Sequence, residues 1–268
     1  MKRILSSALF AVTIAGCGVS TQQEVQMGQE YSAQINSQLP IVRDPEINRY
    51  INVLGDSIAG LTSRGQELEW HFYVVDAPEV NAFAVPGGYI YVNRGLIERT
   101  QKMDQLAGVL GHEIGHVVKR HSIKQMEQMQ GAQIGVTLGC VLLSACNSDL
   151  AQAGINVAGS AIFAKFSRND ETEADEVGVQ NVVRAGINPN GIPEMFQILL
   201  NERARNPSAV DNWFATHPTE ESRITDTQRM IAQINPSILR TLTTDTPAFH
   251  TFQARVRALP PSPKTTSK

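Results

Sequence analysis

The residues best suited to chemistry stand together in His112-Glu113-Ile114-Gly115-His116. Two histidines four apart on a helix share one face a turn apart, so both imidazoles can grip one ion. Glu113 lies about 100° round the helix from His112. From there it reaches a water at the ion without ligating the ion itself. Zinc lowers the pKa of such a water to about 7, and a carboxylate can then take its proton. The pattern predicts metal-assisted hydrolysis with Glu113 as general base. Gly111 just before the motif and Gly115 within it cost about 1 kcal/mol each in helix propensity, which implies that another backbone packs close by.

A catalytic zinc needs a third protein ligand and an open position. One arrangement places glycine three residues and histidine six residues after the second histidine. Those positions are Lys119 and Ser122, so it is excluded. His121 is one residue off and reads as a helix-surface or structural histidine. The other source is a carboxylate on a later helix. Glu171 and Asp175 stand four apart and share a helical face. Glu171 could ligate the ion while Asp175 orients a ligand histidine through its second nitrogen. A solvated acidic helix start is the competing reading, since carboxylates favour the N-terminal dipole. Asp170, Glu173 and Glu176 read that way.

These residues need elements to hold them. Periodic apolar positions predict helices over Glu24–Leu39, from Pro45 behind an Asp44 N-cap, Met103–Gln130, Arg168–Ala185, Ile192–Arg203 and Pro218–Ile234. Trp70–Val75 reads as a strand. Asn81–Pro86 and Tyr89–Asn93 read as two arms of a hairpin around Gly87-Gly88. The 34 residues from Gly131 to Ala164 hold one charge, Asp149. Their apolar stretch, Val136–Ala145, is too short to span a bilayer. Tethered between the second histidine and Glu171, this segment is expected to gate the site. Cys140 and Cys146 lie in it, either as a disulfide or as two free buried thiols.

The chain has 268 residues, a net charge of −3, 42% hydrophobic residues and 18% charged ones, which excludes wholesale disorder. The charge balance argues against a nucleic-acid partner. Aromatic residues at 6% also argue against stacking platforms for single strands. Three cysteines are too few for a disulfide scaffold. Met1-Lys2-Arg3, an apolar run to Ala15, and Ile14-Ala15-Gly16-Cys17 have the layout of a signal peptide. The last four resemble the bacterial lipobox, whose cysteine is lipidated. Residues 1–16 are then a signal peptide, and the remainder is a 252-residue chain of net −5. Residues 17–23 would form a short tether and 24–235 the main domain. Residues 236–268 would be a C-terminal extension with a disordered tail.

Four stretches carry a family resemblance: Asn81–Gly88 running into Tyr89–Val92; Gly111–His116; Ser167-Arg168 with Glu171, Ala174 and Asp175; and Thr216-His217-Pro218 with Arg223-Ile224. In this order the chain resembles the zinc metallopeptidases that include HtpX and the CAAX prenyl endopeptidases, closest to their soluble lipoprotein branch. The resemblance implies a mostly helical α+β gluzincin-type fold with a small antiparallel sheet and an active-site helix. It implies one Zn2+ per chain on His112, His116 and Glu171, with Asp175 behind a ligand histidine and Glu113 catalytic. His217 would cap the zinc or steady the oxyanion, and Arg223 would contact the site or close a salt bridge. Asn81, Ala82, Phe83 and Ala84 would offer an edge to a polypeptide substrate. The implied activity is a zinc endopeptidase that degrades misfolded periplasmic and outer-membrane proteins. It would sit on the periplasmic side of the outer membrane, anchored through Cys17, because Gly18 rather than Asp follows the cysteine. The outer-membrane assembly machinery would be a partner. A chaperone-like, zinc-stabilised module with little turnover is the alternative.

Overall fold

The computed structural model describes residues 18–129, 165–218 and 221–262. Cys17, Cys140, Cys146, the expected gate at Gly131–Ala164 and the end of the tail lie outside them. Helix α1 (Thr21–Gln38) and helix α2 (Pro45–Ala59) precede strands β1 (His71–Val75), β2 (Ala82–Val85) and β3 (Tyr89–Asn93). Helices α3 (Arg94–Arg99) and α4 (Met103–Val118) follow, then α5 at 121–129. After the undescribed segment come α6 (Arg168–Arg184), α7 (Gly191–Arg205), α8 (Asp211–Thr216), α9 (Glu221–Ala232), α10 (Pro236–Leu239) and α11 (Pro247–Arg257). The architecture is mostly helical with one small sheet.

Local chemistry sets the element ends. Asp44 Oδ1 accepts from the Glu46 and Ile47 N–H groups at 3.0 and 3.1 Å, with Pro45 at the first helical position. Helix α1 starts ahead of Glu24. Ser20 and Gln23 form a reciprocal capping box, so the end of the expected tether is helical.

The sheet corrects one expectation. β2 and β3 form the expected antiparallel hairpin, but the strand order is β1-β3-β2 and β1 pairs with β3 in parallel. The sheet is therefore mixed. β3 is buried along its whole length and takes the centre, whereas β1 is half-exposed at alternate positions. Its side chains feed two cores by alternation. Ile90 and Val92 join the main core with α2, α4 and α7, while Tyr89 and Tyr91 join a smaller one with Phe83, Ile123 and Met126.

Two further differences concern helices. The pattern over Met103–Gln130 is not one helix, because it breaks at Lys119-Arg120, where Arg120 has φ 58°. The C-terminal extension carries a helix that packs into the main core. On α11, Phe249, Phe252 and Val256 share one face and enter the main core, and the Phe252 ring stacks on Tyr50 at 4.4 Å. Gln253 Nε2 donates to the carbonyls of Ile97 and Thr100 at 2.9 and 2.6 Å. That short apolar stripe needs the groove between α2 and α3 to become a core element, which is why the chain pattern alone hides it.

Candidate metal centre

Helix α4 delivers His112, Glu113 and His116 from its buried C-terminal half, and α6 lies across it. The close approach is at Gly115. A Cβ there would stand 2.6 Å from the Ala174 carbonyl oxygen and 2.8 Å from its Cα. Only glycine admits α6 this near, as the cost of a helical glycine implied. Ser167 caps α6 by bonding the Asp170 N–H, which puts Glu171 and Asp175 on the face turned to α4.

His112, His116, Glu171 and His217 each place a ligand atom within 4.8 Å of the others, and all four are buried. The His112 and His116 Nε2 atoms are 3.0 Å apart. Glu171 lies 3.6 Å from His112 Nε2 and 3.5 Å from His116 Nε2. His217 Nδ1 lies 3.1 Å from Glu171 Oε1 and 3.4 Å from His112 Nε2. Ligands about 2.0–2.1 Å from one tetrahedral ion stand roughly 3.3 Å from each other. The donor set and its spacing fit such an ion. Glu113 beside them is fully buried, and neither of its oxygens has a hydrogen-bond partner. A buried carboxylate without hydrogen bonds is costly unless a donor such as a water arrives.

The support around the ligands is specific. His112 Nδ1 is 2.8 Å from Asp175 Oδ1. Arg223, on α9, grips both Asp175 oxygens at 2.7 and 2.8 Å and also pairs with Glu171. Of the two open readings of Arg223, the structure therefore shows a buried ion-pair hub at the site. Its guanidinium lies 4.2 Å over the Phe196 ring. Trp213 and Phe166, which were not singled out from the sequence, wall the centre. Trp213 is 4.8 Å from the His217 ring, and Phe166 stacks on His116 at 4.0 Å. Trp213 sits four residues before His217, a helical spacing that could have marked it. Phe166 stands alone in sequence.

Electrostatics follow from burial and these pairs. Burial pushes the Glu113 carboxyl up, against the pull of His217 and His112. Burial also holds His116 well below the usual imidazole range. It would raise Glu171 and Asp175 as well, but His217 and Arg223 hold Glu171 well below the carboxylate range, and Arg223 and His112 lower Asp175. Burial disfavours charge on His217, yet Glu171 and Glu113 raise it.

The expected substrate edge is adjacent. Asn81 leads into β2, and its carbonyl accepts from Asn93 N–H at 2.9 Å. Ala82, Phe83 and Ala84 are buried in β2, which is the outer strand beside β3 among the described residues. Ala84, Val85 and Pro86 share a cavity of about 10 Å³ with His116, Val117 and Arg120. A cavity of that size holds one water at most.

The model of peptidase family M48 matches residues 43–231, which contain every residue of this cluster. The chain belongs to peptidase family M48. Family membership and the donor cluster agree with the zinc-peptidase resemblance of the sequence. Among M48-type relatives, the beta-barrel assembly-enhancing protease of Yersinia pestis is 33% identical over 231 residues, covering 84% of this chain and 47% of the relative. The protein of the same name from Escherichia coli strain K12 is 32% identical, covering 85% and 48%. The mitochondrial metalloendopeptidase OMA1 of Bos taurus is 28% identical, covering 62% and 33%. The chain thus spans about half the length of the first two relatives. No helix among the described residues is long and apolar enough to cross a membrane.

Proposed function

We propose that this M48 peptidase is a zinc-dependent endopeptidase of the bacterial cell envelope that degrades misfolded or misassembled periplasmic and outer-membrane proteins. The observation that carries the chemistry is the buried four-donor cluster with the Glu113 carboxylate, which accepts no hydrogen bond, beside it. His112, His116 and Glu171 would hold one zinc per chain, with His217 as a fourth donor or as a partner for the oxyanion. When bound, zinc supplies Lewis-acid polarisation of a carbonyl and lowers the pKa of a water. Glu113 takes a proton from the attacking water and passes one to the leaving amine. His217 Nε2, 3.6 Å from Glu113 Oε1, keeps charge balanced beside it. The outer edge of β2 from Asn81 to Ala84 aligns an extended peptide by backbone pairing. Lipidation at Cys17 would hold the chain at the periplasmic face of the outer membrane. The names of the relatives from Yersinia pestis and Escherichia coli support a link to beta-barrel assembly.

Elemental analysis for zinc, paired with casein cleavage by the full chain, tests the reading. Glu113→Gln is expected to retain zinc and lose cleavage; retained cleavage overturns the assignment of the base. One observation favours the chaperone-like reading: Glu113 is 0% exposed and no residue of the donor cluster exceeds 2%, a closed site. Zinc binding without casein cleavage in the parent chain would select that reading.

A further inference from the structure

His121 is not on a helix surface. Its side chain is 0% exposed, and its Nδ1 lies 2.9 Å from His116 Nδ1. In an unbroken α-helix a residue five places on lies about 140° round and 7.5 Å along, out of reach of such a bond. The break after α4 makes the contact. Arg120 adopts φ 58°, a region that L side chains rarely enter, and turns the chain so that His121 folds back on His116. Arg120 is held there from outside: its Nε pairs with Glu24 at 2.8 Å and its Nη2 bonds the Val19 carbonyl. Helix α1 thereby clamps the turn.

The direction of the bonds follows from the cluster. His116 Nε2 faces His112 and Glu171, and a ligand nitrogen must offer a lone pair. The proton of His116 then sits on Nδ1 and is donated to His121 Nδ1. The remaining proton of His121 sits on Nε2, which faces Glu173 Oε2 at 3.4 Å and Asp170 Oδ1 at 3.6 Å. Lys119 and Lys124 share Glu173, each at 3.8 Å. The other ligand histidine is treated differently, because His112 meets the Asp175 carboxylate directly.

We propose that His121 is a positioning residue that fixes the orientation and tautomer of His116 by accepting its Nδ1–H and relaying that bond to the carboxylate of Glu173, with the Asp170 carboxylate close by. The inference rests on His116 being a ligand of the proposed zinc. Outer partners of this kind typically govern metal affinity by 10–100-fold.

The test uses the full chain, with zinc affinity read by chelator competition and geometry read from the visible spectrum of the cobalt(II) form. His121→Asn keeps an acceptor oxygen near the position of Nδ1, whereas His121→Phe keeps the ring volume and loses the acceptor. The expected result is zinc bound about 10–100-fold more weakly by His121→Phe, with an altered cobalt spectrum, and near-parental behaviour of His121→Asn. A purely packing role reverses that order. Parental affinity in His121→Phe, or an equal loss in both variants, overturns the proposal. Should His121→Phe not fold, His121→Gln, which displaces the acceptor by one methylene, replaces it with the same expected loss. A parent chain that binds no zinc overturns the metal centre itself, and that result is read before any variant is made.

Discussion

Gly115→Ala should weaken the metal centre without touching any ligand. The new Cβ would meet the Ala174 carbonyl oxygen at 2.6 Å, whereas ordinary contact begins at 3.4 Å, so α6 must retreat by about 0.8 Å. Ala174 sits between Glu171 and Asp175 on that helix, and both would move away from His112 and His116. Ligand distances at a metal site hold to about 0.2 Å, so a shift several times larger should weaken zinc by tenfold or more, about 1.4 kcal/mol. Stability changes less. Overpacking costs about 1–3 kcal/mol, offset by about 1 kcal/mol of helix propensity gained by alanine. The assay is zinc affinity by chelator competition beside the thermal midpoint of the metal-free chain. Gly186→Ala is the control. With φ +75° and no atom within 4 Å of a Cβ, it should cost about 1–2 kcal/mol of stability and leave zinc affinity alone. Parental zinc affinity in Gly115→Ala would refute the argument that this glycine sets the spacing of α4 and α6.

Two further outcomes are expected. Burial pushes the Asp104 carboxyl up to about 7, with Glu194 and Asp245 opposing its charge and Lys102 favouring it, and neither of its oxygens has a hydrogen-bond partner. The folded state then binds the proton more tightly than the unfolded chain, so stability should fall as pH rises from about 4 to about 7, by roughly 4 kcal/mol at most, and level off above. Denaturation of Asp104→Asn across that range should lack this fall; parallel profiles for the two chains would contradict it. Phe249→Ala should cost about 3–5 kcal/mol, because Phe249 is fully buried in the main core. Urea denaturation showing less than about 1 kcal/mol would contradict a core role for α11.

The ligand-bearing helix, the hairpin and the helix with Glu171 and Asp175 were legible because each writes a local period into the chain. His112 and His116 a turn apart, or Asp44 before Pro45, need no distant partner to be read. What stayed hidden depends on contacts between segments far apart in sequence. The parallel pairing of β1 with β3 is decided by which strand is buried on both faces. Phe249 and Phe252 become core only where α2 and α3 leave a groove. In sequence His121 reads as either a helix-surface or a structural histidine, because its role depends on one left-handed residue, Arg120, which Glu24 holds from about a hundred residues away. Arg223 was ambiguous until α9 lay against α6.

The sequence by itself determined the donor types, the spacing that puts two imidazoles and a carboxylate on one helix, and the family whose order of motifs it repeats. Tertiary structure decided that His217, already expected at the site, stands within ligand distance of the other three donors, that Arg223 ties Asp175 to Glu171, and that the cluster is buried. The physical reason is range. Helical and strand periods act over a few residues, whereas a metal centre is set by ångström-scale distances between helices whose approach depends on one missing Cβ at Gly115.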